Sequence, residues 1–266
     1  WMNDSTYYSS LSSEVVLKSA IDGTSKILIE KARIPDSLSI EKVFYSDGDE
    51  NVIIIANNES LYRRSQKGYA LIYNLEKNAF TSSTASKVYN PSLSDDKTKL
   101  AYTRANNIYV LDIATGKEKQ LTTDGEWNKI INGRSDWVYE EEFAFSQAYH
   151  WIKGTNKIAY LKFNEAEVLT YDIQMWGNDL YPTNYSYKYP KAGEKNSLVS
   201  LKTIDVESLE SKTIFNTDDK FEYISKIGQT KEEGVFYFIR MNRLQNQLEI
   251  CHYDVDKQTT SIVYSE

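Results

Sequence analysis

Four times along this chain a strand ends in Asp or Asn, one apolar residue follows, and a polar turn comes next. The copies read IYNLEKN from Ile72, VLDIATGK from Val110, TIDVESLES from Thr203 and HYDVDKQT from His252. An Asx side chain can accept a hydrogen bond from the backbone about two residues on and so start a hairpin between antiparallel strands. The Asx positions are Asn74, Asp112, Asp205 and Asp254. Allowing one insertion between the second and third, they recur roughly every 40 to 50 residues, the period of a four-stranded propeller blade.

A second element recurs in step with the first. A turn of small and charged residues runs into an apolar strand from Tyr45 to Ile54, and again as LSDDKTKLAYTR from Leu93, WIKGTNKIAYLKF from Trp151 and KEEGVFYFIR from Lys231. Runs of Val, Ile, Tyr and Phe bounded by Asp, Asn, Gly and Ser are strand signals, and helical periodicity is scarce. The fold class is therefore all-β: a β-propeller of four-stranded antiparallel blades, with about four to five blade equivalents present, the first segment from Trp1 to Glu30 fitting only loosely.

Two stretches depart from the repeat, residues 125–150 and 171–198, and read as insertions. Long excursions from a repeating scaffold are where binding function tends to sit. The first contains DWVYEEEF, from Asp136 to Phe143. Three adjacent carboxylates between aromatic residues repel one another more strongly than on an open face, and something positive would relieve them. Asp136 can cap a short helix, which would turn successive side chains by about 100° and let two carboxylates converge. Such a pair fits a metal ion, a basic side chain or the α-ammonium of a peptide; the plain alternative is a solvated acidic turn.

Composition removes several classes of function. With 31 basic and 38 acidic residues the net charge is −7, which disfavours a nucleic-acid surface. The longest pure apolar run, Val52–Ala56, is one buried strand and not a membrane span. One cysteine, Cys251, and two distant histidines, His150 and His252, give no disulfide and no zinc spacing. Calcium would want a spaced Asx loop beside the octet, so no metal or cofactor is expected. Neither a Gly-x-Ser-x-Gly elbow nor a triad context occurs, so this chain alone should not catalyse hydrolysis. It carries no signal peptide, and its start inside patterned sequence reads as a piece of something longer.

DWVYEEEF resembles the acidic motif of the N-terminal β-propeller domain of the dipeptidyl peptidase IV family of serine exopeptidases. Other blocks occur in family order: WMND at the start, LYRRSQKGYALIYNL from Leu61, NNIYV from Asn106, FNEAEV from Phe163 and YPKAGEKN from Tyr189. The blade turn WIKGTN at 151–156 departs from the family's usual form and points to a divergent, bacterial-type member. The resemblance implies an eight-bladed propeller, of which residues 1–266 are about the first half. That propeller caps a C-terminal α/β-hydrolase domain that is not in this chain. It also implies release of Xaa-Pro or Xaa-Ala dipeptides and a secreted or periplasmic location.

By the same resemblance Glu141 and Glu142 hold the free amino terminus of a peptide substrate, and Arg63, next to Arg64, contacts its backbone carbonyl. Excursion 171–198 resembles a family arm that contributes to a homodimer. A fixed amine and a fixed nucleophile would act as a ruler, since an extended chain advances about 3.3–3.6 Å per residue. The rival reading is a non-catalytic propeller that serves as a protein-binding platform, with the octet docking a basic partner.

Overall fold

The computed structural model describes residues 6–10, 14–19, 21–44 and 50–266. The opening WMND and the turn Tyr45–Asp49 lie outside the described residues. Strands β1 (Thr6–Ser10), β2 (Val15–Ser19) and β3 (Ser25–Ile29) form a three-stranded antiparallel meander. Next come β4 (Ile40–Phe44), β5 (Asn51–Ser60), β6 (Gln66–Asn74) and β7 (Ala79–Ser83), paired β4 to β5, β5 to β6 and β6 to β7. The same pattern returns in β8 (Val88–Leu93), β9 (Lys99–Arg104), β10 (Asn107–Asp112) and β11 (Glu118–Gln120). A short β6–β8 contact, Lys67 with Tyr89 and Gly68 with Val88, joins these two units edge to edge.

The third unit contains both insertions. Its first strand is split into β12 (Ile130–Asn132) and β13 (Tyr149–Trp151), both paired with β14 (Lys157–Asn164). The six-residue helix α1 (Trp137–Glu142) sits in the gap. Between β14 and its partner β17 (Leu198–Asp205), the chain leaves to form a separate hairpin, β15 (Thr170–Met175) with β16 (Thr183–Lys188). β18 (Ser211–Asn216) completes the unit. The last sheet is an uninterrupted four-stranded blade, β19 (Tyr223–Gln229), β20 (Val235–Met241), β21 (Leu248–Asp254) and β22 (Thr259–Ser265).

The Asx repeat does the local work expected of it. Asn74 Oδ1 accepts from the backbone N–H of Lys77 at 2.8 Å, and Asp112 Oδ1 from that of Thr115 at 2.8 Å. Asp205 Oδ1 accepts from Glu207 and Ser208, both at 2.9 Å, and Asp254 Oδ1 from Asp256 and Lys257 at 3.0 and 2.9 Å. All four residues end the third strand of their unit.

The apolar residue after each Asx has a separate task. Leu75, Ile113, Val206 and Val255 each pack into a different one of four hydrophobic cores. Each core lies between two successive units. One joins Ile53, Ile55 and Ile72 to Leu100, Tyr102 and Leu111, and the next joins Ala101, Ile108 and Val110 to Tyr149, Trp151 and Ile158. Strand β5 buries both faces, Val52 and Ile54 toward one core and Ile53 and Ile55 toward the other, so it reads as a continuous apolar run. Cys251 is a buried strand residue of β21, in the core between the last two units.

Candidate functional site

Asp136 starts α1 as the sequence leads one to expect: its side chain accepts from the backbone N–H of Tyr139 at 2.9 Å. The cap fixes the phase of the helix, and at about 100° per residue positions 136, 139, 140 and 143 fall on one face. That face points inward. Asp136 Oδ2 accepts from the Ser197 hydroxyl at 2.6 Å, and the Tyr139 hydroxyl accepts from the Ile224 N–H at 3.2 Å. Tyr139 lies edge-on to Phe143, Phe145, Phe163 and Tyr223, with ring centroids 4.9 to 6.2 Å away.

The three glutamates consequently have three different surroundings. Glu140 is fully buried, and its Oε1 accepts from the backbone N–H groups of Arg64 and Ser65 at 2.6 and 2.8 Å. Glu141 turns the other way and forms an ion pair with Arg63, Nε to Oε2 3.2 Å. The guanidinium supplies a positive partner for one carboxylate of the octet. Glu142 is exposed and borders a cavity of about 670 Å³ whose walls include Trp137, Tyr187, Tyr189, Tyr223 and Arg243. The structure thus brings Arg63 and Glu141 into contact and sets Glu142 one helical step away beside the cavity. Arg64 contributes its backbone to Glu140 while its side chain is exposed.

Aromatic packing holds the second insertion against the first. Trp137 and Tyr189 have ring centroids 4.0 Å apart, and Tyr187 lies 5.8 Å from Tyr189 and 5.9 Å from Tyr62, the neighbour of Arg63. The YPKAG block therefore lines the cavity beside the acidic helix. The outer part of the same hairpin is bare: Trp176, Leu180 and Tyr181 are each at least three-quarters exposed.

Below the helix lies a buried charged group that the sequence reading missed. Arg134 is buried, donates to Asn106 Oδ1 at 3.1 Å and places its guanidinium 5.1 Å from the Tyr89 ring. Burial pushes the Asp136 carboxyl up, against the pull of Ser197, the Tyr139 N–H and Arg134. Glu165, in the FNEAEV block, is pushed up to about 7, first by burial and then by the Asp136 charge, with Arg134 and Lys188 opposing.

The sign of the pH effect follows from that value. An unfolded Glu ionises near 4.5, so between 4.5 and about 7 the folded chain holds a proton that the unfolded chain has lost. Stability should fall as pH rises through that window, by up to about 3 kcal/mol, and Glu165→Gln should abolish this part of the fall. Urea midpoints of both proteins at pH 5 and pH 8 check this; an equal fall in the two would show that Glu165 is not the group.

Among the described residues no group of three His, Cys, Asp or Glu side chains is placed to hold a metal ion, and no helix is long and apolar enough to cross a membrane. His150 lies in β13 and His252 in β21, in different sheets.

Residues 46–266 match the family described as dipeptidyl peptidase IV (DPP IV) N-terminal region. Among solved structures, the crystal structure of dipeptidyl peptidase 4 from Porphyromonas gingivalis superposes with a TM-score of 0.90 at 29% identity, covering 98% of this chain and 38% of that one. Dipeptidyl peptidase 4 of Felis catus is 29% identical over 221 residues, 80% of this chain and 29% of its own length. Prolyl endopeptidase FAP of Homo sapiens is 27% identical over 97% of this chain and 35% of its own length. The chain thus spans about a third of the proteins it matches.

Proposed function

This chain belongs to the dipeptidyl peptidase IV family through its N-terminal region, and from that premise we propose that it is the substrate-recognising, gating part of a serine exopeptidase. Its proposed task is to hold the free amino terminus of a peptide while a hydrolase domain elsewhere in the full-length protein releases an Xaa-Pro or Xaa-Ala dipeptide. The observation that carries this reading is the Arg63–Glu141 contact at 3.2 Å, with Glu142 exposed on the next helical position beside an aromatic-walled cavity.

A peptide's α-ammonium entering between Glu141 and Glu142 forms charge-assisted hydrogen bonds with two carboxylates that otherwise repel each other. The Arg63 side chain is 72% exposed and keeps donors free for the carbonyl of the first substrate residue. With the amine and that carbonyl held, the chain end sits at one distance from any fixed nucleophile, and positioning of this kind lowers the barrier by pre-arranging the reactants. An amine at that depth also excludes longer amino-terminal extensions, so the same contacts set the length of the product.

Cleavage of a Gly-Pro chromogenic substrate by the full-length protein tests the proposal. The free-amine form should be cut and the amino-acetylated form should not, because acetylation removes the charge and adds bulk. Equal cleavage of the two would overturn amine recognition. Absence of any cleavage of Gly-Pro or Gly-Ala substrates would favour the rival, a non-catalytic platform whose acidic helix docks a basic partner.

A further inference from the structure

Glu140 stands apart from its two neighbours. It is fully buried, yet among the described residues no cationic side chain pairs with it; its Oε1 instead takes the N–H groups of Arg64 and Ser65, the two residues that follow Arg63. Its Oε2 has no hydrogen-bond partner. The turn it reaches links β5 to β6 and is closed on itself, Leu61 N–H to Ser65 O at 2.9 Å and Tyr62 N–H to Ser65 Oγ at 3.3 Å. Arg63 is at the tip of that turn, its side chain largely in solvent, so its guanidinium is only as well placed as the backbone beneath it.

The turn and α1 belong to different sheets, and no strand ladder joins those sheets among the described residues. The turn is held against α1 and the β15–β16 hairpin by the Tyr62 side chain beside Tyr187 and Tyr185 and by this one carboxylate with its two hydrogen bonds. Ring packing resists separation but tolerates sliding; two short hydrogen bonds to successive backbone N–H groups fix position as well. On the same buried face α1 is also tied through Asp136 to Ser197 and through Tyr139 to Ile224, so the helix is a rigid base for the tether.

We propose that Glu140 is a positioning residue that sets the spacing between Arg63 and the Glu141–Glu142 pair without touching the substrate. This rests on the reading that those three residues bind the first substrate residue. Freeing the turn should weaken ground-state and transition-state binding alike, so KM should rise about tenfold or more with kcat within about threefold. Glu140→Ala and the shorter Glu140→Asp should both show this in the full-length protein. Glu140→Gln keeps an oxygen acceptor of the same reach and should stay near wild type.

A second readout is independent of activity. Arg63 and Arg64 are trypsin sites, and the rate of cutting there in the native protein reports how often the turn opens. The decisive set is these variants with and without Arg63→Ala, each followed by KM and by tryptic cutting at 63–64, the double variants having only the Arg64 site. The proposal is supported if Glu140→Asp or Glu140→Ala speeds cutting and raises KM, Glu140→Gln does neither, and the KM effect vanishes once Arg63 is alanine. It is overturned if the KM effect persists undiminished in the Arg63→Ala background, which would mean a general structural role, or if cutting is unchanged. Should Arg63→Ala itself leave KM unaltered, the substrate-binding reading fails, and the cutting rate alone then judges the tether: faster in Glu140→Asp supports it, unchanged overturns it.

Discussion

Replacing Glu141 with alanine is expected to lower kcat/KM of the full-length protein for a free-amine dipeptide substrate by about two to three orders of magnitude. Truncating one partner of a hydrogen-bonded charge pair costs about 2–5 kcal/mol, and each 1.4 kcal/mol is about a factor of ten. Two losses combine at this position: the ammonium loses an acceptor, and Arg63 loses the carboxylate that now holds its Nε at 3.2 Å. Glu141→Gln should fall by about one to one and a half orders of magnitude, because a neutral acceptor makes roughly half as strong a bond as an ionised one. Glu142→Ala is the cleaner probe of the amine, since Glu142 is exposed at the cavity rim. Activity within threefold of wild type in both Glu141→Ala and Glu142→Ala would sink the proposed role of the acidic helix.

The largest effect on stability should come from Tyr139→Ala. The ring is 1% exposed and meets four aromatic partners, so its removal leaves a cavity in the core between the last two units. Large-to-small changes of this kind cost about 3–5 kcal/mol. The hydroxyl makes a separable contribution: Tyr139→Phe keeps the ring but orphans the buried Ile224 N–H, at about 1–3 kcal/mol. Denaturant unfolding of both variants measures the two parts. A Tyr139→Ala loss below that of Tyr139→Phe would mean that the ring is not what the helix rests on. Because Tyr139 precedes Glu140, the Phe variant should also loosen α1 without altering any group proposed to touch substrate.

The blades were legible because their signals are local. An Asx side chain and the N–H it accepts from are two or three residues apart, so Asn74, Asp112, Asp205 and Asp254 specify their hairpins within one short segment. Strand alternation is equally local, and both insertions announced themselves by breaking it. The capped helix at Asp136 was also readable from the acceptor side chain and the turn that follows.

Other features depended on chain segments far apart in sequence. A buried carboxylate is an improbable expectation for any glutamate, since Glu is almost never fully buried without a partner. The partners of Glu140 are backbone N–H groups, which carry no residue signature. The association of Arg134 and Glu165 with Asp136 was missed for a related reason, because neither Arg134 nor Glu165 carries a local signal and only shared burial makes them interact with the helix cap. Arg243 and Tyr223 reach the cavity wall from the last sheet, and no spacing near the acidic octet refers to them.

By itself the sequence determined the repeat of short antiparallel strands, the hairpin turns, the all-β class and the place where a short helix interrupts the pattern, all of which follow from interactions within a few residues. Tertiary structure alone decided which of three consecutive glutamates faces inward, that Arg63 meets Glu141, and that the cavity wall is assembled from the hairpin and the last blade. Those outcomes depend on how separate sheets sit against one another, a matter of inter-unit packing between apolar faces, and such packing leaves no trace in the spacing of residues along the chain.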